Sequence, residues 1–326
     1  MLARVLAIFL IVLSGVSPAF AAEWKTVPIE LRDPNTPIPI AIYLPQDELL
    51  IGVDPLLKYS SGSHGLVGDL MLDVIESSAN KKAGAEVEPV LDALGEFDAS
   101  VPLMSGIRAE ISISPWLTLL TDTPAIDDSE DTKNSLLAQV TGNYLVDVDC
   151  AYRIGREFEA IYATCSLQIV DKRLTSNRWK PGNLLFNQMV QSEVALDIAH
   201  APRPIPSCYG SERRAWCRSQ WTKDSAAKLR DELTIALTKV GNLVGKRIRL
   251  SGEQADTSSL SKDTLIRLAP SHSGFALQGA ANVQDPGKRP GMWSGFKPAV
   301  LAPDSDGVVL VTDDGSLYHK RVVTVH

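Results

Sequence analysis

The chain has 326 residues and a formal net charge of −7, with 44% of its residues hydrophobic and 22% charged. That acidic balance argues against nucleic acid or anionic lipid as the main partner, because both are held by clustered Lys and Arg. The basic clusters Arg213-Arg214 and Lys246-Arg247-Ile248-Arg249 are short and suit a solvated face or a helix end.

Residues 1–21 read as a secretory signal peptide. Arg4 supplies the positive end, Leu6 to Val16 the apolar run, and Ala19-Phe20-Ala21 the small-x-small cleavage pattern after Pro18. The run is shorter than the roughly 20 residues a membrane span needs. No later stretch is longer, so no span is expected once the signal is removed. The expected location is periplasmic or secreted, with a mature chain of about 305 residues, enough for one large or two modest domains.

Residues 22–135 read as an extended N-terminal segment followed by helices. Ile38 to Leu44 is a strand whose Pro39 places it at a sheet edge or a strand start. Helices are predicted over Leu66–Ser78, Glu86–Phe97 and Val101–Ile111 from apolar stripes at helical spacing. Ala125 to Lys133 is expected to be an acidic, solvated loop.

Residues 136–250 are the best patterned. Tyr144–Ile154 and Phe158–Val170 alternate in polarity and are joined by the turn signal Gly155-Arg156-Glu157, so they predict a hairpin. Leu184–Leu196 is a third strand, and Asp224–Val244 a long helix with Gly245 as its stop. In residues 251–326, Pro270–Pro298 reads as irregular, and Val308–Thr312 with Leu317–Val325 as a small β-meander. The fold class is α+β: an antiparallel β-meander covered by a long helix, N-terminal helices, and a small C-terminal β-hairpin element.

Cys150, Cys165, Cys208 and Cys217 all follow the signal, and an even count in an exported chain predicts disulfides. Alternation places Cys150 and Cys165 on one face of neighbouring strands, while Cys208 and Cys217 bracket a short loop. The expected bonds are therefore Cys150–Cys165 and Cys208–Cys217. No CxxC motif accompanies them.

Chemical motifs are sparse. Ser61-Gly62-Ser63-His64-Gly65 approximates a nucleophile elbow, with Ser63 as nucleophile and His64 beside it, but Ser61 stands where the first glycine belongs. A loop and helix N-cap explain the stretch more simply. His64, His200, His272, His319 and His326 lack metal-ligand spacing and read as surface residues, so no metal or other cofactor is expected. Trp116, Trp179, Trp216, Trp221 and Trp293 fall in or near predicted loops, where they suit plugs at the ends of a core. Trp293 and Phe296 form the exposed aromatic element best placed to meet a ligand.

Gly65-Leu66-Val67-Gly68-Asp69-Leu70, Glu88-Pro89-Val90-Leu91-Asp92-Ala93-Leu94, Phe97-Asp98 and the Val146–Tyr152 strand resemble a pattern in a group of secreted bacterial proteins. The resemblance covers about residues 60–250 and departs at His64. It implies a bacterial envelope protein and carries no activity. The covered meander is also similar, as a fold, to periplasmic accessory proteins of transport systems. The favoured expectation is a non-catalytic envelope accessory or binding protein whose partner is an envelope protein or a ligand. The alternatives are a secreted serine hydrolase using Ser63 and a small-molecule or glycan binder using the loop tryptophans.

Overall fold

The computed structural model describes residues 26–46, 49–52, 87–174, 184–201, 205–250, 299–304, 307–311 and 316–324. The expected signal peptide, the helix at 66–78 and the segment 270–298 lie outside them. In chain order the elements are β1 (Ile38–Tyr43), β2 (Leu50–Gly52), α1 (87–94), α2 (Ser100–Ile111), β3 (Leu117–Leu119), α3 (Glu130–Gln139), β4 (Tyr144–Gly155), β5 (Ala160–Asp171), β6 (Leu184–Asp197), α4 (Ser211–Arg249), β7 (Ala299–Asp304), β8 (Gly307–Val311) and β9 (Leu317–Thr324).

The fold is α+β, and its strands form one mixed sheet in the order β3-β1-β4-β5-β6-β9-β8-β7, with β2 also on β4. The centre is the antiparallel meander β4-β5-β6 that the alternation implied. Both flanks join it in parallel, β1 beside β4 and β9 beside β6. β1 is therefore interior, between β3 and β4, rather than an edge strand; of the two expected positions Pro39 takes the strand start, as the second residue of β1. Pro39 is tolerated because the β4 ladder begins one residue later, at Ile40 opposite Val146, so its missing N–H costs no bond there.

Alternation gives the sheet two different faces. Val146, Val148, Cys150, Tyr152 and Ile154 of β4, with Ile161, Cys165, Leu167 and Ile169 of β5, share one apolar core with α2 and α4. On the opposite face, Leu136 and Leu137 of α3 pack with Ala41, Tyr43 and Leu145. A polar row crosses that second face, because Arg153, Tyr162, Glu193 and Lys320 are successive cross-strand partners on β4, β5, β6 and β9. The Arg153 guanidinium lies 4.3 Å from the Tyr162 ring centroid. Lys320 Nζ lies 3.3 Å from Glu193 Oε1, with side chains only 4% and 3% exposed. A buried pair of this kind breaks about even against its desolvation, so it favours register more clearly than stability.

The turn after β4 is longer than expected. Phe158 is not in β5; it sits in the left-handed region at φ 59°, with its carbonyl accepting the Trp221 indole N–H at 2.7 Å. That bond and burial of the Phe158 ring hold a conformation that a non-glycine residue otherwise avoids.

α4 differs from expectation at both ends. It starts at Ser211, and its path breaks at Lys223–Ala226, where Lys223 is extended and the next three residues have φ of 51°, 54° and 57°. The expected start at Asp224 falls on this break. Gly245 does not stop the helix, which runs on to Arg249. Glycine is needed there for space: a Cβ on Gly245 would run into Glu110 of α2. One on Gly241 would meet the Leu103 carbonyl, and one on Gly106 the Thr238 carbonyl. The three glycines let α2 and α4 cross with their backbones nearly touching.

Both cysteine pairs are bonded, Cys150 to Cys165 and Cys208 to Cys217. The first joins directly opposed residues of β4 and β5, 4.1 Å apart at Cα. The second ties Cys208 to Cys217 inside α4, so the bracketed segment is mostly helix rather than loop.

Candidate functional site

The parallel flank creates the site. β1 ends at Tyr43 and β2 begins at Leu50, and both lie along β4. Between them Gln46 fills the gap with its side chain. Its Nε2 donates to the Tyr152 carbonyl at 2.8 Å, and its Oε1 accepts the Tyr152 N–H at 2.9 Å. The amide thus replaces one peptide group of a strand, satisfying a backbone edge that would otherwise be stranded.

A cleft of about 340 Å³ opens above this point, walled by Leu44 and Gln46, by Phe97 to Ser100, and by Thr123, Pro124 and Ile126, with Tyr152 as its floor. It sits off the carboxyl ends of the parallel strands β1 and β3, the position at which open α/β sheets bind ligands. Its size falls at the lower end of small-molecule sites, about 300–1,000 Å³.

The walls are braced. Ala125 N–H donates to the Ile42 carbonyl, and Leu44 N–H to the Ala125 carbonyl, both at 2.8 Å. Arg108 Nη2 donates to the Asp122 carbonyl, and Thr121 Oγ1 to the Thr123 carbonyl. On the other wall, Asp98 Oδ1 accepts the Ser100 N–H at 2.9 Å and the Ser100 hydroxyl at 2.5 Å, which ties Asp98 to the first residue of α2. Ile126 stands 77% exposed at the lip.

Beneath the neighbouring end of the sheet lies a compact charged group. Lys133 Nζ contacts Asp149 Oδ2 at 2.8 Å and lies 4.9 Å from the Tyr43 ring centroid. The expected solvated loop therefore ends early. Ser129 caps α3, and Lys133 turns inward with its side chain 6% exposed, because Asp149 neutralises it. Burial alone would lower the lysine pKa, but Asp147, Asp149 and Asp128 outweigh it, so Lys133 is held above its ordinary value. Burial raises the Asp149 carboxyl, with Lys133 opposing it. Burial and then Asp147, Asp149 and Asp128 push the Tyr43 phenol well above its ordinary value. This group is closed over by α3 and forms a polar wedge within the fold, with Lys133 paired to Asp149.

The residues singled out from sequence fare differently. Ser63, His64, Trp293 and Phe296 lie outside the described residues, as do Trp179, His64's distant counterparts His272 and His326, and the glycines near residue 65. His319 is not a surface residue. It is fully buried and shares a 2.9 Å hydrogen bond between its Nδ1 and Ser192 Oγ. The register puts Ser192 and His319 side by side on β6 and β9, under α4. His200 is exposed and its Nδ1 lies 2.7 Å from Asp197. Trp116 is a core residue, and Trp216 and Trp221 lie in α4, not in loops. Among the described residues no group of three or more His, Cys, Asp or Glu is arranged to hold a metal.

Sequence reading missed the cleft. Gln46, Asp98, Thr123 and Tyr152 come from four separate stretches, and no local pattern marks them. No protein-family model, curated protein or solved structure matches the chain.

Proposed function

We propose that this protein is an exported, non-catalytic binding component of the bacterial cell envelope that takes a small, partly apolar molecule into the cleft over Tyr152. The braced cleft at the carboxyl ends of β1 and β3 carries the reading. Its lining mixes Leu44, Phe97, Pro124 and Ile126 with a few polar groups, the composition of a site that encloses an apolar body and orients it. Two disulfides suit an oxidising compartment. No helix among the described residues is long and apolar enough to cross a membrane. The Arg4 to Ala21 segment supplies the export signal in this reading.

The test is titration with the uncharged fluorophore N-phenyl-1-naphthylamine. Fluorescence should rise with the wild-type protein and fall to the buffer level with Thr123→Trp, whose indole fills the cleft from an exposed position. Equal fluorescence from both proteins would remove the cleft from consideration. Cell fractionation, followed by N-terminal sequencing, checks export; a start at Ala22 is expected.

A further inference from the structure

We infer that the cleft selects a small organic ammonium ion with an apolar body, using Asp98 as its counter-ion. This rests on the cleft being the binding site proposed above. Among the described residues lining it, Asp98 alone is charged. Its Oδ1 is committed to the Ser100 N–H and hydroxyl, while Oδ2 makes no hydrogen bond to a described residue. One oxygen therefore fixes the carboxylate, and the other, without a partner among the described residues, faces the ligand in this inference. The same arrangement disfavours anions. A helix N-terminus attracts them, but here the Asp98 carboxylate stands two residues before the first residue of α2 and holds its N–H.

The residues flanking the cleft carry the same sign. The loop that supplies Thr123, Pro124 and Ile126 also carries Asp122, Asp127 and Asp128, and α3 opens next to it with Glu130 and Asp131; these stand beside the cleft rather than in its lining. Asp127 is kept ionised to lower pH than an ordinary aspartate by hydrogen bonds from Ser129 and Thr132. Among the described residues, Lys133 on this side of the fold is paired with Asp149, and Arg108 donates to the Asp122 carbonyl. A cleft lined by one sign of charge concentrates ions of the other. Phe97, half-buried in the wall, adds aromatic surface that tolerates a cation as well as an apolar chain.

The experiment compares three probes of one shape by isothermal titration calorimetry at neutral pH: 2-phenylethylammonium, 2-phenylethanol and 3-phenylpropanoate. Because Asp98 is exposed, the ammonium should bind about three- to fivefold tighter than the alcohol, with the propanoate weakest. Asp98→Asn keeps an Oδ1 that can accept the Ser100 N–H and hydroxyl while removing the charge. In that variant the ammonium should lose its advantage while the alcohol binds as before. About 0.5 M NaCl should shrink the advantage in the wild type. Equal binding of ammonium and alcohol, preference for the propanoate, or an advantage that survives Asp98→Asn would each overturn the ammonium inference. If the alcohol still binds and Thr123→Trp abolishes it, the cleft remains a binding site and only the charge selectivity falls. If none of the three binds the wild type, the cleft reading fails and takes this inference with it.

Discussion

Tyr43 is the residue at which local pattern and final environment diverge most. Its alternation marks it only as one face of β1, yet the fold seals its phenol beside Asp147, Asp149 and Lys133. Its hydroxyl has no hydrogen-bond partner among the described residues. A buried hydroxyl without a partner forfeits its hydration, at a cost of about 1–3 kcal/mol. Tyr43→Phe should therefore stabilise the protein by about 1 kcal/mol at neutral pH in urea denaturation. The pH dependence follows from the raised phenol pKa. Above the ordinary tyrosine value of about 10 the unfolded chain releases the proton while the folded chain keeps it, so stability falls as pH rises. Lys133, also raised, adds a loss of the same sign above the ordinary lysine value. Tyr43→Phe should flatten the alkaline limb without abolishing it. A variant less stable than wild type at neutral pH, or an unchanged alkaline slope, would refute the account. The cysteines were easier to read: alternation fixed their face and a hairpin register fixed their distance. Lys133 was not legible, because nothing in Ser129-Glu130-Asp131-Thr132-Lys133 shows that a strand carboxylate waits across the core.

Among the elements, the crossing of α2 over α4 has the tightest geometry. Gly106, Gly241 and Gly245 allow it, and a methyl at Gly241 would collide with backbone rather than with a movable side chain. Gly241→Ala should lower unfolding free energy by about 1–3 kcal/mol, the usual cost of overpacking. Gly142→Ala is the control, since a Cβ there meets nothing within 4 Å. If both substitutions have the same effect, the close crossing is not what Gly241 provides. The central strands were readable within two residues or so, because an alternating half-buried strand carries its own period. The N-terminal part of α4 was hidden by Cys208 and Cys217, whose spacing suits a loop as well as a helix start. Gly245 was misread for a related reason: by local propensity a glycine ends a helix, and only the neighbour at Glu110 shows why one is kept mid-helix.

For the whole molecule, the Cys150–Cys165 bond crosses the centre of the sheet, with 15 residues of sequence separation. Closing a loop of that size restricts the unfolded chain by about 3 kcal/mol, and the Cys208–Cys217 loop by slightly less. Cys150→Ala with Cys165→Ala should therefore cost about 3 kcal/mol in guanidinium unfolding, and more if the vacated core does not collapse. Wild-type stability in that double variant would show that the bond contributes nothing. The polarity period of β4, β5 and β6, the face of each cysteine and the α+β class were written in the chain, because alternation and composition are local properties. The tertiary structure alone decided that β9 lies parallel to β6, that β1 is interior, that His319 is buried and that Gln46 completes the edge at Tyr152. Those outcomes depend on which distant segments together bury the most apolar surface and satisfy the most backbone groups. The cleft belongs with them, since its walls meet only where three separate segments close around the end of β1.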